Sequence, residues 1–259
     1  MMRAKWLFGM GVLAAALVNT SARAGAPGGA TLIDFNGLPA GTTVNDQYAS
    51  QGVKITVQRT SPGPAVATLY NTRRTGEPDP DLQVPFAGGN LGTSGPGGNI
   101  LIIPENNTDG NKDGLIDQPN DEGDRPAGQF TFTFTRPVSD FGFDLVDVDG
   151  PAEFNSNAGY FASFYVNGNL EARVGFGAFI DPTSPFYDAS VKYGDNSANR
   201  IRPITARSVG MPAFDRVVLN FGGSGGTDNI IFTPVAVPEP AALALLGLAL
   251  PALLRRRPA

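Results

Sequence analysis

Seven residues constrain the chain most. In QFTFTFT (129–135), Phe130, Phe132 and Phe134 fall on one side of an extended backbone, with Thr131, Thr133 and Thr135 on the other. Strict alternation is the period of a strand buried on one face; a helix would scatter those three rings around its axis. Short segments of strand character recur along the chain: TLIDF (31–35), VKITV (53–57), AVATLY (65–70), the apolar run NILII (99–103), VSDFGFDLVDVD (138–149), YFASFYV (160–166), NLEARVGF (169–176), FDRVVLNF (214–221) and DNIIF (228–232). Pro137 separates the phenylalanine strand from the next one, and Asn167 with Gly168 form a two-residue type I′ hairpin signal. Between the two ends of the chain no long segment has helical period. The 33 glycines and 22 prolines supply the turns. These patterns predict an all-β fold, a single antiparallel β-sandwich over residues 25–235 that is jelly-roll-like, with an up-and-down barrel as the alternative. The Gly/Pro-rich stretch 73–98 is longer than a connection usually is unless it has a function.

Both ends read as addresses. Arg3 and Lys5 precede LFGMGVLAAALV and then Ala22, Arg23 and Ala24, the charged, apolar and small-x-small parts of a secretory signal peptide (1–24), helical in its apolar part and cut after Ala24. At the other end (236–259), Val237, Pro238, Glu239 and Pro240 lead into the uncharged residues 241–254 and then Arg255, Arg256 and Arg257. As a hydrophobic helix this run reaches about 21 Å, short of a hydrocarbon core of about 30 Å, and the arginines would stay on the cytoplasmic side. The expected path is export across the inner membrane, with the chain transiently tethered there by its tail.

Losing both ends would leave 13 basic against 23 acidic residues, a net charge of −10 in place of −5. Such a surface repels nucleic acid and attracts divalent cations. The chain has no cysteine and no histidine, which excludes disulfides, thiol chemistry, Ser-His-Asp and Cys-His triads and histidine-ligated zinc. Its one tryptophan, Trp6, lies in the signal peptide.

The acidic charge concentrates in residues 105–124, which hold seven carboxylates against Lys112. Counted from Asp109 as position 1, Asn111 falls at 3, Asp113 at 5, Gly114 at 6, the Leu115 carbonyl at 7, the apolar Ile116 at 8, Asp117 at 9 and Asn120 at 12. That is the spacing with which a calcium loop turns successive oxygens inward around a glycine. Position 12 departs from it, since Asn120 offers one oxygen where a bidentate Glu belongs; Asp121 and Glu122 follow at once. Calcium is therefore the expected cofactor, against the plainer reading of a hydrated Asx turn. The run is similar to thrombospondin type 3 repeats and dockerin loops, in a single copy.

Other candidates are less specific. Asp34 and Asp228 sit on the first and last strands, which neighbour each other in jelly rolls, and could share a second metal or be plain strand-end carboxylates. Asp144, Asp147 and Asp149 cluster at a strand end as metal-linked or as turn residues. Tyr160, Tyr165, Tyr187 and Tyr193 could stack on sugars or belong to the core. Glu77, Glu105, Glu153 and Glu171 are the acids open to glycoside chemistry, but no spacing pairs them. GGSGGT (222–227) lacks the lysine and helix of a phosphate loop.

The VPEP segment, apolar helix and arginine cluster together resemble the PEP-CTERM sorting signal, a C-terminal domain also catalogued under ice-binding proteins. The resemblance implies export in a Gram-negative exopolysaccharide producer and recognition, with cleavage, by a membrane exosortase. The body (IDFNGLPAGTTVNDQYASQGVKIT, DPDL, ILIIPEN, FGFDLVDVDG, GGSGGTDNIIF) looks like the exported β-sandwich proteins that carry this tail. The functional expectation is a surface or extracellular-matrix protein of biofilm, calcium-stabilised, structural or polysaccharide-associated and without catalysis. The alternatives are a carbohydrate-binding module and a polysaccharide-active enzyme using Asp or Glu.

Overall fold

The computed structural model describes residues 29–74, 79–150 and 159–236. The signal peptide with Ala22 and Ala24, the tail from Val237 onward with Pro238, Glu239, Pro240, Arg255, Arg256 and Arg257, both terminal helices, and Glu77 and Glu153 lie outside the described residues.

The described residues form eleven strands: β1 (Thr31–Ile33), β2 (Thr43–Val44), β3 (Val53–Arg59), β4 (Ala67–Asn71), β5 (Asn99–Ile102), β6 (Gly128–Val146), β7 (Phe161–Val166), β8 (Asn169–Gly175), β9 (Ala198–Thr205), β10 (Phe214–Phe221) and β11 (Gly226–Pro234), and every alternating segment of the sequence overlaps one of them. All strand pairs are antiparallel, and three short 3₁₀ turns complete the described elements. The fold is all-β. Among the described residues no helix is long and apolar enough to cross a membrane.

β6 organises the molecule. Its first half, Gly128 to Phe134, lies between β3 and β10, and β7 and β8 extend that side. Its second half, Val138 to Val146, lies between β9 and β11, and β5, β4 and β2 extend the other side. Nine residues of extended strand span about 30 Å, yet the rings of Phe132 and Phe141 are 5.2 Å apart. The strand therefore folds back on itself between its halves, and the two halves become facing layers of a sandwich. Pro137 does not end the strand, as its position in the sequence suggested. It sits at the bend, where it is paired with no partner residue and its missing N–H costs nothing, and its carbonyl accepts from Val235 N at 2.9 Å.

The alternation of QFTFTFT settles which face is core. Phe130 and Phe132 are fully buried, and the Phe134 ring meets Phe232 at 4.9 Å and Phe141 at 6.0 Å. Each such ring contributes about 1.5–3 kcal/mol by leaving water. The Asn167 and Gly168 hairpin has φ of 50° and 86°, the left-handed pair that a type I′ turn requires. A second, smaller core explains why β4, β5 and the end of β6 are buried on both faces. Leu82 and Phe86, from the Gly/Pro-rich stretch, pack with Tyr70, Ile100, Ile102, Val146 and Ala198 on the outer side of that sheet. Two strands escaped the sequence reading: the two-residue β2, and β9, ANRIRPIT, where exposed Arg200, Arg202 and Pro203 alternate with buried Ile201 and Ile204. Among the described strands β9 pairs only with β6, an edge position that tolerates proline.

Candidate cation sites

The excursion after β5 carries the expected calcium loop. Its stem is a short ladder in which Glu105 N donates to Asn120 O at 2.9 Å and Glu122 N to Ile103 O at 2.8 Å. A buried ion pair between Arg59 and Glu122 fixes the stem to β3. At the tip, Ile116 is 7% exposed and donates its N–H to Gly41 O at 2.9 Å. Gly41 has φ of 82°, and a Cβ there would lie 2.5 Å from Ile116 O, so the docking needs glycine. Inside the tip, Asp109 Oδ1 accepts from Asp113 N (3.1 Å) and Asp109 Oδ2 from Gly114 N (3.0 Å). Asn111 Oδ1 accepts from Asp113 N (2.9 Å), Asp113 Oδ1 from Leu115 N (2.9 Å) and Asp117 Oδ2 from Gly110 N (2.8 Å). Asp109, Asn111, Asp113 and Asp117 thus cap backbone N–H groups of their own loop, with Lys112 and Gly114 at positive φ making the turn; the three carboxylates do not converge within 4.8 Å as Asp147, Asp149 and Asp195 do. Asn111, Asp113, Leu115 and Asp117 line an open hollow that Arg74 also faces.

Asn120 and Asp121 are turned elsewhere. The Asn120 side-chain oxygen is buried with no hydrogen-bond partner among the described residues. Asp121, 4% exposed, accepts from Gly225 N and lies against the Asp79 carboxylate, so it belongs to a second acidic group. That group joins Asp79, Asp81, Asp121, Asp147, Asp149 and Asp195. Carboxylate oxygens of Asp147, Asp149 and Asp195 lie within 4.8 Å of one another. Asp147 is 4% exposed, holds φ of 57° and accepts from Asn196 N at 2.8 Å. Burial, with Asp149, Asp79 and Asp81 close by, pushes its carboxyl up to about 7. Burial first, then contact with Asp79, raises Asp121 well above the usual carboxylate range. Touching carboxylates need a proton or a cation between them. Asp79, Asp81 and Asp195 were missed as site residues, because a hundred residues of chain separate them and only the fold joins them.

The third group lies where β1 and β11 meet. Their register pairs Ile33 with Ile230, so Asp34 follows β1 opposite a bulge in β11 that begins after Asp228. Asp144, on β6 opposite Asp228, is fully buried and takes a bidentate pair from Arg200, with Nε to Oδ1 and Nη2 to Oδ2 both at 2.8 Å. Asn229 Nδ2 bridges Asp144 Oδ2 (2.7 Å) and Asp228 Oδ2 (3.1 Å). Asp228 is 3% exposed, and its Oδ1 is buried with no partner. Burial, with Asp144 and Asp34 near, pushes Asp228 up to about 8, and burial with Asp34 and Asp228 pushes the Tyr48 hydroxyl up to about 12. The structure therefore separates Asp144 from Asp147 and Asp149, which the sequence placed in one cluster.

The tyrosines divide as well. Tyr160 is buried and stacks on Phe176 at 5.5 Å, Tyr165 lies 4.0 Å beneath the Arg216 guanidinium, and Tyr193 packs against the core. Tyr187, 38% exposed, lines a surface hollow with Phe186, Asp188, Arg202 and Pro203. A second hollow across β9 is lined by Leu32, Asp144, Arg200, Asn229 and Ile231. Glu105 and Glu171 are exposed, on the excursion stem and on edge strand β8.

No family model, curated protein or solved structure matches the chain.

Proposed function

We propose that the chain is an exported, exosortase-sorted protein of the cell surface or extracellular matrix. Its sandwich is stabilised by calcium at the 109–117 loop, and its role in biofilm is structural or polysaccharide-associated. The observation that carries the reading is the inward turn of Asp109, Asn111, Asp113 and Asp117 around one loop, docked on the core through Ile116. The loop offers several oxygen donors on one short turn at the spacing of a calcium loop, the donor type that a hard divalent cation prefers. The VPEP tail supplies the addressing, with exosortase as the partner and the inner membrane as a temporary anchor. Calorimetric titration of the protein with calcium tests it: Asp113→Ala is expected to bind one equivalent fewer than the unaltered chain. No heat in the unaltered protein would leave the loop a hydrated turn.

Carbohydrate binding is a second reading, favoured by the hollow beside Tyr187, where an exposed ring stands next to the Arg202 and Asp188 ion pair (3.0 Å). Aromatic faces and paired polar groups are the surfaces that sugars use. Exopolysaccharide fragments should then raise the melting temperature, and Tyr187→Ala should abolish the rise.

A further inference from the structure

We propose that a divalent cation of the calcium type binds between Asp34, Tyr48 and Asp228 and clamps the first strand of the fold to the last. This site is independent of the 109–117 loop.

Two unpartnered atoms point to it. The Tyr48 hydroxyl and Asp228 Oδ1 are both buried without a hydrogen-bond partner, on side chains 7% and 3% exposed. A buried polar atom with no partner costs about 1–3 kcal/mol, more if charged, so two of them facing one another's electrostatic field call for an occupant. The occupant must be positive. Asp34 follows β1 opposite the β11 bulge that begins after Asp228, Asp144 pairs with Asp228 across β6 and β11, and Arg200 commits its Nε and one Nη2 donor to Asp144. The donors are all oxygens, as calcium and its class prefer. Asp34 is exposed and gives a route in, while its Oδ1 is held by Asn36 N at 3.2 Å. Phe35, at φ of 55°, lays its ring edge-on to Tyr48 at 5.4 Å and fixes the phenol in place.

Terbium, which replaces calcium and emits when excited through a nearby tyrosine, reads this site directly. The full chain should show tyrosine-sensitised emission that calcium displaces. Asp113→Ala should keep that emission, and Tyr48→Phe and Asp228→Asn should each lose it. Asp228→Asn copies the neutral acid in shape, so it separates a cation ligand from a merely protonated side chain. Emission that survives both Tyr48→Phe and Asp228→Asn overturns the site. So does a calcium stoichiometry that Asp113→Ala abolishes entirely and Asp228→Asn leaves intact. If the 109–117 loop is only a hydrated turn, the unaltered chain still binds one calcium, kept in Asp113→Ala and lost in Asp228→Asn. Should either site variant fail to fold, the calcium equivalents bound by the unaltered chain and by Asp113→Ala decide: equal and non-zero, or differing by one with one remaining, supports the clamp, and none in Asp113→Ala overturns it.

Discussion

At the scale of single residues, the Asp144 and Arg200 pair is asymmetric. Asp144 is fully buried, whereas the Arg200 side chain is 55% exposed. Removing the arginine strands a carboxylate in the interior; removing the carboxylate lets the guanidinium swing into water. Arg200→Met should therefore cost about 3 kcal/mol and Asp144→Asn only about 1 kcal/mol, as urea midpoints will show. Asp147 makes a pH prediction. Its folded pKa, about 7, lies above the ordinary value of an aspartate, so the folded state holds the proton more tightly than the unfolded one. The stability this confers is complete below about pH 4 and is lost as pH rises through about 7. The groups facing it, Asp79, Asp81, Asp121, Asp149 and Asp195, are carboxylates too, with Arg125 beside Asp149 at 3.9 Å. In chelator, the melting temperature should fall between pH 5 and pH 8, and Asp147→Asn should flatten that slope.

At the scale of elements, alternation does the work of a fold diagram. Phe132→Ala should cost about 3–5 kcal/mol and Thr133→Ala less than about 0.5 kcal/mol, measured by denaturant unfolding, because adjacent residues of one strand face core and solvent. That contrast is legible in seven letters. The spacing from Asp109 to Asp117 was also legible, because its oxygens come from one contiguous turn. What stayed hidden is whatever depends on meetings between distant segments. Pro137 reads as a break, and only the bend that lets Phe134 reach Phe141 and Phe232 shows why the strand continues through it. β9 was hidden by its proline and two arginines, since an edge strand needs hydrophobic residues on one face only. Asp79 and Asp195 carry no local mark of a site. Asp121 looked like a spare calcium ligand by proximity in sequence, but the Pro104 and Asp121 bridge turns its carboxylate toward Gly225 instead.

For the whole molecule, the absence of cysteine leaves the packed core, together with any cations bound as proposed, to hold the fold without disulfides. One cation site at a hundredfold excess over its dissociation constant adds about 2.7 kcal/mol. In a domain of this size that raises the melting temperature by about 5–10 °C. A calcium-dependent rise of that order, reversed by chelator, is expected by scanning calorimetry, and two independent sites should give roughly twice the shift of one. The same coupling would make folding favourable in a calcium-rich exterior and less so before export.

β11 is the last described strand, and it is flanked on both edges, by β6 on one side and by β1 and β5 on the other. Tension applied at the C-terminal end runs along this strand, so its hydrogen bonds to both neighbours are loaded in shear and share the force. A strand at a sheet edge would instead unzip one bond at a time. A pull on the C-terminal side of β11 therefore meets more resistance than the same pull on an edge strand would.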